Sequence, residues 1–192
     1  MARLREFDVE EAVEKAMHVF WRDGYAGASL PALLDGMGIT RGSLYKAFGS
    51  KKALFQLALQ RYDDLYVGPA VTRLEASKGD GEARIAAVFR SGLKAVRDGD
   101  RRGCLLCNTA AGTVPDDADI ARLAAEQIDK LAQGFLAALR ETVAGSTMTP
   151  ATLKARARAL ALSYVGLRVM ARAGEEEPVL KSAVKATIGG LG

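Results

Sequence analysis

The sequence predicts an all-α chain of about nine helices, and three observations carry that prediction. Apolar residues recur at three- and four-residue spacing along most of the 192 residues. No stretch after Pro69 alternates as a strand would, and the breaks fall at glycine or proline, with serine, threonine or aspartate where helices restart. Since 49% of the chain is apolar, it can bury one good-sized core or two small ones.

The first helix is expected over 8–22. Asp8 is placed to cap it, Glu10, Glu11 and Glu14 suit the positive end of the helix dipole, and Val9, Val13, Ala16, Val19 and Phe20 form its apolar stripe. Gly24 supplies the left-handed residue that stops it. Two short helices follow within 29–52. Ser29 caps the first, Pro31 sits in its first turn where a missing N–H costs little, and Gly36 and Gly38 free the backbone for a tight turn. Thr40 caps the second, with Arg41, Gly42 and Ser43 facing outward and Leu44 and Phe48 anchoring it. Two short helices about such a turn form a helix-turn-helix, the unit that enters a major groove. A further helix starts at Ser50 and runs to about Val67, with Lys51 and Lys52 in its first turn. There they oppose the helix dipole, a placement that suits a phosphate. Gly68-Pro69 marks the division into domains 1–67 and 68–192.

The second part reads as helices over 71–77, 82–97, 103–111, 116–144, 150–172 and 178–191. The breaks between them are Lys78-Gly79-Asp80-Gly81, Asp98-Gly99-Asp100, residues 112–115, Gly145, and the acidic run before Pro178. Helix 150–172 carries small and apolar residues over most of its surface, and with 178–191 it is suited to pairing with a second copy in a four-helix interface.

Composition excludes several functions. One histidine, His18, leaves no histidine-based metal site or Ser-His-Asp triad, no convergent acid-base set stands out, and no enzyme, metal or cofactor is expected. Lys78-Gly79-Asp80-Gly81 follows no strand, so it is not a phosphate-binding glycine loop. Two cysteines make no secreted disulfide framework, the N-terminus lacks a signal-like apolar segment, and the longest uncharged apolar run, 159–167, is too short for a membrane. A cytoplasmic protein is expected, with no membrane partner. Net charge is +4, yet residues 1–67 hold nine basic and nine acidic groups. Local order matters more: between Asp35 and Asp63 lie Arg41, Lys46, Lys51, Lys52 and Arg61 and no acid, a basic stripe beside the helix-turn-helix.

The run Phe20, Gly24-Tyr25, Ser29, Leu33, Gly38-Ile39-Thr40-Arg41-Gly42-Ser43-Leu44-Tyr45-Lys46-Ala47-Phe48, Ser50-Lys51-Lys52 and Leu54 resembles the N-terminal domain of the tetracycline-repressor (TetR) family. The sequence departs from that pattern at Leu34 and Gly36, where alanine is usual. The resemblance implies a homodimeric regulator that reads a palindromic double-stranded DNA operator and is released by a small effector inside the C-terminal helical bundle. By position, Thr40, Arg41, Gly42 and Ser43 then meet bases and backbone, with Arg41 suited to a guanine edge, and Ser29, Tyr45, Lys46 and Lys51 meet phosphates. The expected effector is apolar or aromatic, held among 82–97, 104–111, 116–144 and 150–172. A DNA-binding helical adaptor with a closed core is the alternative.

Gly103-Cys104-Leu105 is similar to one TetR-like subgroup that includes cysteine-based electrophile sensors. Cys104 and Cys107 lie at i and i+3 near a helix start, beside Arg101 and Arg102, which favours a thiolate and a redox or electrophile response. Two small buried packing residues are the other reading.

Overall fold

A computed structural model describes residues 7–76, 80–111 and 118–190. The readings for Lys78-Gly79, 112–115, the helix start at Asp116 and Leu191 lie outside these residues. Within them the chain is helical throughout, as expected.

Helix α1 (Val9–Gly27) begins on Asp8, whose Oδ1 accepts from the N–H groups of Glu10 and Glu11 at 2.8 and 3.1 Å. Its regular part breaks at Gly24 (φ 72°, ψ 170°), a conformation that strains any side chain. Helices α2 (Leu30–Met37), α3 (Arg41–Phe48) and α4 (Lys51–Tyr62) are capped by Ser29, Thr40 and Ser50, as the sequence indicates. Gly38 makes the α2–α3 turn in the left-handed region (φ 68°, ψ 31°). Gly36 does not contribute to that turn and remains helical. A Cβ there would stand 2.7 Å from Cγ2 of buried Val19, so this departure from the usual alanine lets α2 lie close on α1.

The chain does not stop at Gly68-Pro69. Gly68 is helical (φ −54°, ψ −51°), and α4 continues through a π-helical stretch, Asp63–Val67, into α5 (Gly68–Glu75). Pro69 falls in the first turn of α5, where its missing N–H is tolerated. The next helices are α6 (Gly81–Arg97), capped by Asp80, α7 (Leu105–Ala111) and α8 (Ala118–Arg140). Helix α8 ends at Arg140 rather than near 144, because Thr142 folds back to donate to Leu139 O and accept from Gly145 N, starting the 3-10 turn Gly145–Thr147. Helices α9 (Pro150–Arg172) and α10 (Glu177–Gly189) complete the chain. Counting α4 to α5 as one run, the described residues hold nine helical rods.

Helix α1 packs on α2 and α4 to make the head, with Phe20, Phe55, Leu33, Leu44 and Leu54 at its centre. Helix α8 is the axis of the body, touching α5, α6, α7 and α9, with α10 laid across α6 and α9. Short α7 contacts α1, α4 and α8, so head and body share a core. No helix among the described residues is long and apolar enough to cross a membrane.

Candidate nucleic-acid interface and internal cavity

The residues singled out between 29 and 51 lie on the two short capped helices and the start of the third. Ser29 and Thr40 use their hydroxyls as caps: Ser29 Oγ accepts from Ala32 N and Thr40 Oγ1 from Ser43 N, each at 3.2 Å, and Thr40 and Ser43 share a 2.9 Å hydroxyl bond. These bonds fix where α2 and α3 begin. On α3, Arg41, Gly42, Tyr45 and Lys46 are exposed, while Leu44 and Phe48 are buried beneath them. Tyr45 leaves 45% of its surface open, with the Arg41 guanidinium carbon 5.8 Å from its ring centroid. A Cβ on Gly42 would meet only Thr40 Oγ1, at 4.0 Å, so nothing in the chain itself requires glycine there.

Lys51 is held by a residue that sequence reasoning treated only as part of a pattern. Gly24 turns the chain so that the Tyr25 ring rests against Phe55 (centroids 4.9 Å) and Phe20 (6.2 Å), and Lys51 Nζ sits 4.8 Å from the centroid of Tyr25. Partial burial pushes the Lys51 pKa down. The basic stripe is narrower than the sequence suggests. Arg61 is turned to Glu14 on α1 at 2.7 Å, and Lys52 lies 3.7 Å from Asp119 on α8. Arg41, Lys46 and Lys51 form its outward part.

The body contains a cavity of about 290 Å³. Its walls include Ser91 and Gly92 of α6, Gln127 and Leu131 of α8, Tyr164 and Arg168 of α9, and Cys104, all within the expected segments. Further wall residues were not expected: Tyr62, Leu65, Tyr66 and Val67, at the end of α4 and in the π-helical stretch, Ala70 and Arg73 of α5, and Asp100 after α6. Gln127 joins this wall to the head, its Nε2 donating to Leu59 O of α4 at 3.2 Å, while its Oε1 has no partner among the described residues.

Cys104 and Cys107 are brought together. The Cys107 S–H donates to Cys104, and with the backbone N–H groups of Cys107 and Leu106 and the Tyr62 hydroxyl it draws the Cys104 thiol down to about 6 against the opposing effect of burial. Cys107, as donor and buried, is held firmly as a thiol.

A joint of arginines links cavity and head. Trp21 is buried, donates from Nε1 to Gly103 O at 3.2 Å, and carries the Arg102 guanidinium 3.9 Å from its ring centroid. Arg102 also forks onto Asp100 (2.9 and 3.0 Å) and bonds His18 Nδ1 at 2.8 Å. Arg172 donates to Trp21 O and Arg102 O, and Arg168 donates to Gly103 O. Burial, then the Arg102 charge, lowers the His18 pKa, so the ring is neutral and accepts from Arg102. Sequence order places Arg102 beside the cysteines as a charge favouring a thiolate, whereas the groups that lower Cys104 are Cys107, Tyr62 and Leu106, and Arg102 is turned to Asp100, His18 and Trp21; no local signal marks Arg168.

Comparison with known proteins places these features. Residues 12–58 match the profile of the bacterial regulatory proteins of the tetR family. The chain is 37% identical, over 136 residues, to the uncharacterised HTH-type transcriptional regulator YezE of Bacillus subtilis, covering 70% of each. It is 32% identical over 120 residues to the HTH-type transcriptional repressor ComR of Escherichia coli, covering 62% of this chain and 57% of that one. Among solved structures it is similar to a cysteine mutant of the TetR family transcriptional regulator CifR complexed with 26-bp double-strand operator DNA. The TM-score is 0.85 at 29% identity, over 97% of this chain and 98% of that one.

Proposed function

The chain belongs to the tetR family of bacterial regulatory proteins, so it is a DNA-binding transcriptional regulator and not an enzyme, and from that premise we propose that it is a homodimeric, ligand-released repressor of a palindromic operator. One observation carries the ligand-released part: the cavity is walled by Tyr62, Leu65, Tyr66 and Val67, at the end and in the direct continuation of the helix whose first turn holds Lys51. A twelve-residue helix spans roughly 18 Å, so occupancy at one end of the rod biases the lysine at the other. A ligand shifts the head only as far as it binds the two head positions differently. The cavity also argues against the adaptor, which needs no internal space. In this reading Thr40, Arg41, Gly42 and Ser43 face the major groove, Ser29, Tyr45, Lys46 and Lys51 hold phosphates, and a cytoplasmic location follows from the DNA partner.

Selection of bound sequences from random DNA supplies the operator, expected as a palindrome with half-sites about one helical turn apart. On that site, Arg41→Ala should cost about 1–3 kcal/mol while hardly changing affinity for random DNA, because a guanidinium reads a base edge. Lys51→Ala should weaken both DNAs alike and flatten the salt dependence. Equal losses on both DNAs for Arg41→Ala would remove it from the groove.

A second reading, that of the Gly-Cys-Leu subgroup, rests on the lowered Cys104 thiol in the cavity wall. A thiolate there reacts with an electrophile, or with Cys107 under oxidation to form a disulfide. Operator binding is measured before and after oxidant for Cys104→Ser and Cys107→Ser. Loss of the response in Cys104→Ser supports the sensor, and an unchanged response in both variants ends it.

A further inference from the structure

We propose that the cavity selects a small organic anion, a carboxylate on an aromatic or compact apolar frame, and that Arg168 recognises its charge; this rests on the reading of the cavity as the effector site. Arg168 is 6% exposed and lines the cavity one helical turn beyond Tyr164. Its acceptors are neutral: Gly103 O at 3.3 Å from Nε and 2.9 Å from Nη2, and Gly92 O at 3.5 Å from Nη1. Among the described residues, then, three of its five N–H groups have acceptors. The nearest carboxylate oxygen, Asp100 Oδ2, stands 3.9 Å away and is engaged elsewhere, since both Asp100 oxygens are forked by Arg102 at 2.9 and 3.0 Å. Burial alone would raise the Asp100 carboxyl; the Arg102 fork, with a smaller contribution from the Arg168 charge, outweighs it and holds the group ionised. Asp100 is therefore shared: Arg102 holds both its oxygens closely, and Arg168, at 3.9 Å, is a buried cation whose one counter-charge is distant and already forked by another guanidinium. Such a charge is costly until an anion reaches it, and a planar guanidinium fits a carboxylate best.

Asp100 also lines the cavity, its charge taken up by the Arg102 fork and by Arg168, and the rest of the wall fits the same class. Arg73 adds a second cation, while Tyr62, Tyr66 and Tyr164 offer ring faces and edges to an apolar frame. The volume, about 290 Å³, suits one ring or two fused rings. A cationic ligand meets repulsion here, and an uncharged one leaves Arg168 as it is. Cys104 is the other group able to place an anion in this field, so its contribution has to be separated from that of the ligand.

The test is calorimetric titration of the full chain, and of Cys104→Ser, with two probes of the same shape, 2-naphthoate and uncharged 2-naphthylmethanol, at neutral pH. Naphthoate should bind about tenfold or more tightly than the alcohol in both proteins. Arg168→Lys keeps the charge but loses the fork, and should weaken naphthoate several-fold without moving the alcohol; Arg73→Ala should keep most of the preference. Equal or tighter binding of the alcohol overturns the anion assignment and leaves the cavity reading standing. Failure of both probes to bind at millimolar concentration overturns the cavity reading with it. A preference that follows Arg73 and is untouched in Arg168→Lys removes Arg168 as the recognising residue.

Discussion

Placing aspartate at both Leu162 and Met170 should leave a folded monomer that has lost on the order of a hundredfold or more of its operator affinity. Leu162 is 69% exposed, and Val169 and Met170 on the same face of α9 are 44% and 45% exposed; Val179 of α10 is 52% exposed. Positions 162, 166, 169 and 170 repeat at helical spacing, and a Cβ on Gly166 would meet nothing, so the chain's own packing does not account for a glycine in the middle of the stripe. Between α9 and α10 a recess of about 230 Å³ is lined by Gly166, Met170, Ala183 and Val184. A large apolar stripe with a recess beside it is self-complementary when two copies meet about a two-fold axis. The substituted side chains are exposed in the single chain, so helix content should be unchanged, whereas four charges in a paired interface would be desolvated without partners. The affinity loss exceeds that of any single base contact because one head alone spans one half-site, and linking two heads supplies the effective concentration. Sedimentation and operator titration check this together. A double variant that remains dimeric at full affinity would put the interface elsewhere.

What could be read from the sequence was what neighbouring residues decide. Helix α9 appears over the expected 150–172 because Thr149 caps it and Pro150 occupies its first position, and the helix-turn-helix follows from three caps and one left-handed glycine. Features set by distant partners carried no such mark. The π-helical stretch at Asp63–Val67 sits where the rod passes from the head core to α8, with Asp63 bonded to Lys130 at 2.6 Å. Arg168 and Arg172 read as surface charges punctuating a small-residue helix, yet their hydrogen bonds go to carbonyls of Gly103, Gly92, Trp21 and Arg102 on other elements. Gly36 looked like turn chemistry, and its reason is Val19 on a different helix. In each case the residue type satisfies a contact that exists only after the helices have packed.

Gly81 belongs to the same class, and Gly81→Ala should lower stability by about 3 kcal/mol or more. It is the first residue of α6 and buried, and in sequence it reads as one more loop glycine. A Cβ there would stand 2.0 Å from the Ala138 carbonyl oxygen, 3.0 Å from its carbon and 3.2 Å from the Glu141 carbonyl carbon, all backbone atoms at the end of α8. Backbone cannot move aside as a side-chain tip can, and the Ala138 oxygen already accepts from Glu141 N at 3.1 Å, a bond that ends the helix. Relief therefore requires α6 and α8 to separate. One turn further along α6, Arg84 is 5% exposed and pairs with Glu141 at 2.6 Å, so separation also withdraws the counter-ion from a buried guanidinium. The control is Gly189→Ala, where a Cβ would meet nothing and the change should be neutral or stabilising by less than about 1 kcal/mol. Thermal unfolding should put Gly81→Ala roughly 6–12 °C below the parent chain. Midpoints that coincide for the two variants would show that α6 reaches α8 through a looser contact than the close approach described.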